Sequence, residues 1–287
     1  MLKILRRIYY FFLTELIFIP SIYKKESFNF KKCKTKNVFF TFVNGDEYTK
    51  RYFEIFNLSI KNLKKNNPHI SIVIWCANLS KKSLSLLKQN KYLDKITEIN
   101  INNLIEIDYA KFKKLKKLKR ENFYLKIMAF IFFFKKNVKN KNFCFWFDYD
   151  SYFTVFNNFG NYNFNEYDFV YTYGSRERKV MNSGFFGFNF ANQKIINDLY
   201  SYINCKNITS FRYFVGMKLY FDQFFIHLLF NHNKINALNL DYKIFNCWDL
   251  KFSKKKAELI HITKQNRIMY STKHYKKFIK KIYDKIS

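Results

Sequence analysis

Two acidic side chains, Asp148 and Asp150, directly follow a continuous apolar run, Asn-Phe-Cys-Phe-Trp-Phe, at residues 142–147. The run predicts a central strand, and ligands in open α/β sheets bind beyond the carboxyl ends of such strands. Side chains two residues apart on an extended chain point the same way, so both carboxylates are expected to face one cation. Their oxygen ligands suit Mg²⁺ or Mn²⁺, which can bridge a diphosphate and stabilise its developing charge.

A D-x-D triplet alone is weak evidence, because many such triplets are solvated surface pairs. A polar turn, Asn182–Gly184, precedes a second apolar strand and could let a sugar ring approach the backbone, with Asn182 and Ser183 as hydrogen-bonding groups. An ordinary strand-entry turn is the alternative interpretation.

Two further polar features lie later in the chain. Asp222 and Gln223 open an apolar helical segment and could bind sugar hydroxyls, although the helix dipole also favours an acidic residue there. His261 lies in the short apolar run 259–262 and could complete a metal coordination sphere, although a lone strand histidine is often a core residue.

The order of these motifs resembles that of the metal-dependent GT-A glycosyltransferases, especially the retaining family 8 enzymes of the glycogenin and galactosyltransferase type. Those families place a D-x-D after a strand, then an N-[ST]-G turn, then a D-Q pair on a helix, and then a late metal-binding histidine. The matches here are Asp148–Asp150, Asn182–Gly184, Asp222–Gln223 and His261, and the resemblance covers residues 37–265. The central residue Tyr149 departs from the pattern, because a small residue is common there.

The resemblance implies an enzyme, a hexosyltransferase with Mn²⁺ or Mg²⁺ as cofactor, and it implies roles for individual residues. The metal ligands would be Asp148, Asp150 and His261, with Asp148 also touching the ribose. The residues near the donor sugar would be Asn182, Ser183, Gly184, Asp222 and Gln223, those near the base Phe42, Val43 and Asn44, and the basic donor contacts Lys126 and Lys264. In retaining relatives the leaving diphosphate assists acceptor attack, so no general base is assigned.

The hydrophobic pattern predicts the strands and helices that could position these residues. Buried strands are predicted near residues 37–43, 69–75, 95–99, 142–147, 169–173, 185–190 and 259–262, and helices near 48–63, 80–89, 109–134, 193–203 and 221–230. Strands separated by helical segments indicate βαβ units. The predicted fold class is therefore α/β, a GT-A (Rossmann-like) domain with a mixed, mostly parallel sheet flanked by helices.

The composition indicates anionic partners. The chain of 287 residues carries 52 Lys and Arg against 21 Asp and Glu, a formal net charge of +31. Such a charge favours nucleic acid, acidic lipid or phosphorylated ligands. A nucleic-acid- or membrane-binding protein without catalysis is the alternative function, but no nucleic-acid-binding motif is evident, so no nucleic-acid partner is expected. The scattered five cysteines argue against a disulfide framework or zinc module and favour a reducing compartment.

The two ends of the chain differ from its middle. Residues 1–36 form a segment whose apolar run 8–19 is too short to span a bilayer and has no cleavage site, so an interfacial helix or a helix packed on the domain is expected. Residues 37–265 form the catalytic domain, and 266–287 a basic amphipathic helix. With the basic stretch 111–120, this helix suits the inner face of the cytoplasmic membrane, although a solvated charged face is the alternative. The expected reaction moves sugar from a UDP-sugar to a glycan or glycolipid, as in bacterial lipopolysaccharide or capsule synthesis.

Overall fold

A computed structural model describes residues 36–117, 119–137, 142–173, 181–204, 226, 235–240, 245 and 257–261. The strands are β1 Val38–Asn44, β2 Ser71–Ala77, β3 Lys95–Glu98, β4 Phe143–Phe147, β5 Ser151–Phe153, β6 Phe169–Tyr173, β7 Met181–Asn189, β8 Ala237–Leu240 and β9 Leu259–His261. The helices are α1 Asp46–Asn66, α2 Lys81–Lys88, α3 Tyr109–Lys117, α4 Glu121–Lys136 and α5 Gln193–Ile203.

Seven of these strands form one sheet in the order β3-β2-β1-β4-β7-β6-β8. Every neighbouring pair is parallel except the two pairs that contain β7, which runs against both β4 and β6. The predicted α/β class with a mixed, mostly parallel sheet is confirmed. The chain moves outward from β1 to β3 and then returns to β4 on the other side of β1. The carboxyl ends of β1 and β4 therefore flank a topological switch point, where sheets of this kind bind ligands.

Aromatic side chains fill both faces of the sheet, because the central strands are apolar at every position rather than at alternate ones. On one face Phe40 stacks on Phe133 of α4 with ring centroids 4.1 Å apart, and on the other Phe39 stacks on Phe145 at 5.1 Å. Gly187 of β7 lies against this second layer, where a Cβ atom would come within 2.5 Å of the Phe145 ring. A glycine is required there because the packed ring leaves no space for a side chain.

Helix boundaries follow local signals in the sequence. Ser80 caps α2 by accepting a hydrogen bond from the Ser83 amide, as its position predicts. The predicted helical region 109–134 is two helices, and the chain turns between them through Lys119, whose φ is 56°. Asp108 caps the first of them by accepting a hydrogen bond from the Lys111 amide at 2.8 Å.

The structure differs from the sequence-based prediction in two features of its strands. Asn182–Gly184 form part of β7 rather than a turn before it, because β7 pairs with β6 as far back as Met181. Strands β5 and β8 were not predicted, since three or four residues give too little periodicity. The predicted helix 221–230, apart from Ile226, and the terminal segments 1–35 and 262–287 lie outside the described residues.

Two further findings concern the helices and the cysteines. None of the helices described here combines the length and the apolarity that crossing a bilayer requires. Cys76 and Cys144 are free and buried in the core, and burial raises the pKa of Cys76 to about 11, which keeps this thiol protonated and unreactive.

The buried carboxyl group of Glu258 accepts hydrogen bonds beside the small antiparallel sheet of β5 and β9. The amide of Asn158 donates to Glu258 Oε2 at 2.9 Å, and the Tyr162 hydroxyl donates to Glu258 Oε1. The Glu258 carbonyl accepts the Thr154 amide at 3.0 Å, which extends the β5–β9 pairing. Burial raises the pKa of Glu258 to about 7, against the lowering effect of the hydrogen bonds from Tyr162 and Asn158.

This shift predicts a pH-dependent stability. The folded protein holds the Glu258 proton more tightly than the unfolded chain, whose pKa is near 4.5, so the group stabilises the fold at acidic pH. That contribution, on the order of 1–3 kcal/mol, is lost as pH rises through about 7. Urea unfolding of Glu258→Gln should therefore show a smaller fall in free energy than wild type between about pH 5 and about pH 8. Glu54→Gln, which alters an exposed carboxyl on α1, should keep the wild-type profile; matching profiles for wild type and Glu258→Gln would contradict the assignment.

Candidate active site

Four elements meet at the carboxyl edge of the sheet, around the end of β4. Asp148 follows β4 directly, and its amide donates to the Gly184 carbonyl of β7 at 2.8 Å. The first two turns of helix α4 lie at the same edge, and they carry Asn122 and Lys126. Asn44, the last residue of β1, donates through Nδ2 to Asn122 Oδ1 at 2.9 Å. The candidate site is therefore built at the switch point between β1 and β4.

An ion pair joins α4 to the D-x-D triplet. Lys126 Nζ lies 2.7 Å from Asp148 Oδ1, and the two side chains are only 11% and 20% exposed. The same ammonium donates to the Ser183 carbonyl at 2.8 Å and lies 5.1 Å from the centroid of the Trp146 ring. Lys126 is thus held by a carboxylate, a carbonyl and an aromatic face, and its position is fixed relative to β4 and β7.

Trp146 binds the same carboxylate oxygen. Its Nε1–H donates to Asp148 Oδ1 at 2.9 Å, so this oxygen accepts hydrogen bonds from both the indole and the ammonium. Trp146 lies two residues before Asp148, on the same side of the strand. Two donors on one oxygen restrain the orientation of the Asp148 carboxylate.

The D-x-D triplet adopts a turn. The Ser151 amide donates to the Asp148 carbonyl at 2.8 Å, which closes a four-residue turn over residues 148–151. The extended geometry predicted for this triplet is therefore wrong, and the alternation argument does not orient Asp150. The physical reason is the central residue: Tyr149 is buried and stacks on Phe56 of α1 at 4.2 Å, which pulls the backbone out of the strand direction. Burial also raises the pKa of Tyr149 well above its ordinary value, so this phenol stays neutral.

Strand pairing brings the main chain of His261 close to that of Asp150. Asp150 is 2% exposed, and a carboxylate buried to this extent needs a cation or hydrogen-bond donors. The next residue, Ser151, pairs directly with His261 in the antiparallel β5–β9 ladder. The main chain of His261 therefore lies beside the D-x-D turn, while its side chain is outside what the structure describes.

The acidic side chains fit a hard divalent cation in chemical type. Asp148 and Asp150 offer carboxylate oxygens, which Mg²⁺ and Mn²⁺ prefer. Among the side chains that the structure describes, no three His, Cys, Asp or Glu residues come together as a metal-binding group. A third protein ligand would have to come from outside that set, and the β9 register places the His261 backbone opposite Ser151, the residue that follows Asp150.

The three predicted base-binding residues differ in whether a ligand could reach their side chains. Phe42 and Val43 are buried in opposite core layers, so a ligand could reach only their main chain. Asn44 is half-buried at the edge, where its Oδ1 accepts from Asn78 and its Nδ2 donates to Asn122. Of these three, only the Asn44 side chain lies at the carboxyl edge beside Asn122.

Only some of the remaining predicted site residues lie in the part of the chain that the structure describes. Asn182 and Ser183 are buried at the start of β7, and Asn182 Oδ1 accepts the Gly184 amide at 2.6 Å. The structure therefore brings Asn182, Ser183 and Gly184 to the same edge as Asp148 and Lys126. Asp222, Gln223 and Lys264 lie outside the described residues.

Sequence reasoning missed Trp146 and Asn122, and a signal existed for each. Trp146 precedes Asp148 by two residues, the spacing that puts two side chains on one side of a strand. Asn122 precedes Lys126 by four residues, which places both on one helix face. Their partners, however, come from distant segments and cannot be read from local spacing.

The solved structures that are similar to this chain include several glycosyltransferases. Mouse xyloside xylosyltransferase 1 in its apo form has a TM-score of 0.46 at 10% identity, with 80% of this chain and 98% of that chain covered. GlyE of Streptococcus pneumoniae has 0.47 at 14%, covering 83% and 55%, and the galactosyltransferase LgtC with donor and acceptor sugar analogues has 0.44 at 11%, covering 78% and 86%. No family model and no curated protein matches the sequence. The fold class rests on the strand order of the sheet itself, and the likeness assigns no residue.

The shared carboxylate oxygen leads to a prediction about Trp146. Trp146→Phe keeps a ring beneath Lys126 but removes the Nε1–H donor to Asp148 Oδ1, a charge-assisted bond worth about 1.5–3 kcal/mol. We expect the affinity for Mn²⁺ with UDP, measured by titration calorimetry, to fall by about tenfold, because the Asp148 carboxylate is then less restrained.

Trp75→Phe is the matched control. Trp75 also lies beneath a lysine, Lys136 at 5.4 Å, but it belongs to β2 and makes no contact with Asp148. Equal effects of the two substitutions on ligand affinity would show that the indole acts through packing, and the positioning role of Trp146 would be lost.

Proposed function

We propose that this protein is a metal-dependent glycosyltransferase that transfers a sugar from a nucleotide-sugar donor, a UDP-sugar, to a glycan or glycolipid acceptor with retention of configuration. The observation that carries the proposal is the ion pair between Asp148 and Lys126 at the switch point, in a turn that also contains the buried Asp150. The order of the sequence motifs points to the same activity.

The donor would lie across the carboxyl ends of β1 and β4. Its base and ribose would approach Asn44 and Asp148, which α4 connects through Asn122 and Lys126. Asp148, Asp150 and His261 would hold Mn²⁺ or Mg²⁺. When bound, such an ion supplies Lewis-acid stabilisation of the charge on the leaving nucleoside diphosphate.

Lys126 would act on the donor as well as on Asp148. Its ammonium is mostly buried and already oriented by Asp148 and the Ser183 carbonyl, so it needs little reorganisation to contact an anionic ligand. It also lowers the net charge of the acidic pair, from two negative charges to one. A lysine there therefore weakens binding of a lone cation and favours a cation that arrives with a diphosphate.

The donor sugar would lie against the start of β7. Asn182 and Ser183 are there, and Asp222 and Gln223 are proposed to line the same sugar, with Lys264 on the diphosphate. No described residue is assigned as a general base. Positioning of donor and acceptor and electrostatic stabilisation of the leaving group would provide the rate enhancement.

The charge of the chain also fits a nucleic-acid-binding protein without catalysis, but the aromatic residues argue against it. Proteins that bind single strands stack bases on exposed aromatic side chains. Among the described residues the large exposed apolar side chains are Tyr109, Val155 and Phe156, whereas the other aromatic residues build the core. We propose instead a cytoplasmic enzyme on the inner membrane face that acts in bacterial surface-glycan synthesis, for which the buried free thiols and the net charge are the support.

The central test removes one negative charge from the site at constant shape. Asp150→Asn, like Asp148→Asn, should lower Mn²⁺-dependent release of UDP from a panel of UDP-sugars by about 100-fold or more, because the leaving diphosphate loses its cation. Glu47→Gln, which changes an 86% exposed carboxylate on α1, should leave the rate unchanged. A fully active Asp150→Asn protein would remove the proposed metal site.

A further inference from the structure

Helix α3 carries a basic surface that the proposed reaction does not use. Four lysines on α3 or in the turn just after it, Lys113, Lys116, Lys117 and Lys119, are exposed. Within the described part of the chain no acidic side chain forms an ion pair with any of them. Lys111, by contrast, pairs with Asp108 at 3.2 Å. We call the four exposed lysines the lysine face.

The helix is oriented so that these charges point away from the protein. Leu115 is 2% exposed, and Phe112 contacts Tyr124 of α4 with ring centroids 6.1 Å apart, so the apolar side of α3 packs on α4. Tyr109 is 79% exposed and lies four residues before Lys113 and seven before Lys116, on the same side of the helix. An exposed aromatic ring therefore accompanies the lysine face.

The lysine face lies at the same edge of the molecule as the candidate site. The Arg120 amide donates to the Leu115 carbonyl, and the Lys119 amide to the Lys116 carbonyl, both at 2.9 Å, so the end of α3 turns tightly into α4. Two residues beyond Arg120, Asn122 contacts Asn44 at the carboxyl end of β1. A surface bound by the lysine face would therefore lie near the candidate site.

The lysines suit an extended anionic surface better than a single phosphate. A discrete phosphate is recognised by donors held in fixed geometry, whereas the four ammonium groups are not fixed by any contact among the described residues. Flexible lysines near an acidic lipid layer each add attraction without fixed geometry, and an exposed tyrosine suits the headgroup region.

We propose that the lysine face and Tyr109 bind an anionic lipid bilayer and hold the candidate site toward it. This inference rests on the proposed function only for its consequence, that a lipid-anchored acceptor would meet the candidate site at the membrane surface. The binding itself depends on charge and exposure alone.

The test compares two sets of four substitutions in the full-length protein. Lys113, Lys116, Lys117 and Lys119 are changed together to Gln, which should lower partitioning onto phosphatidylcholine vesicles with about 30% phosphatidylglycerol by roughly 100-fold at low ionic strength. Pure phosphatidylcholine vesicles should bind neither wild type nor variant.

The control removes the same charge elsewhere. Lys61, Lys65, Lys91 and Lys95 are also exposed but lie toward the opposite edge of the sheet, at the end of α1 and before or at the start of β3. Changing these four to Gln should reduce vesicle binding by no more than about fivefold, because only long-range attraction is lost. Equal losses in the two variants, or none in the lysine-face variant, would overturn the proposal.

Two further measurements separate the remaining outcomes. If the lysine-face variant loses affinity for a DNA duplex but not for anionic vesicles, the surface binds nucleic acid and the proposal is overturned. Mn²⁺-dependent UDP release without vesicles should be the same in both variants and wild type. Absence of that release with the expected vesicle pattern would count against the proposed enzyme alone, whereas normal release without vesicle binding would count against the lysine face alone.

Discussion

The ion pair between Lys126 and Asp148 is the interaction on which the candidate site depends. It joins α4 to the end of β4, and the same ammonium reaches the Ser183 carbonyl of β7. Charges that are largely removed from water must be paired, so this contact fixes the spacing of three elements at the switch point. Trp146 adds a second donor to the same oxygen, and the apolar strand therefore contributes directly to the polar site that follows it.

The core explains why the pair can be placed accurately. Helix α4 packs Phe133 on Phe40 of β1, and Phe130 on Phe186 of β7, so its register against the sheet is set by large rigid rings. A shift of α4 by one residue would rotate these rings out of their contacts and move Lys126 away from Asp148. The aromatic side chains of the core therefore also position a charged residue.

The sequence predicted the central strands, the fold class and the position of Asp148, because continuous apolar runs with polar residues at their ends are local signals. It did not predict the turn at Asp148–Ser151, because that turn follows from Tyr149 packing on Phe56, a contact between distant segments. The place of Asn182–Gly184 inside β7 was missed for a similar reason, since only pairing with β6 shows where β7 begins. The roles predicted for Asp222, Gln223, Lys264 and the His261 side chain stay predictions.

The start of α4 connects the candidate site with the lysine face. Its first turns carry Asn122 and Lys126 into the site, and the segment just before it carries the lysine face outward. The start of α4 therefore sets the orientation of the candidate site relative to a bound anionic surface. Long-range attraction acts on the whole basic chain and cannot choose an orientation, whereas exposed lysines close to the candidate site can. The local placement of a few lysines, more than the net charge of +31, decides which face of the protein meets an acidic partner.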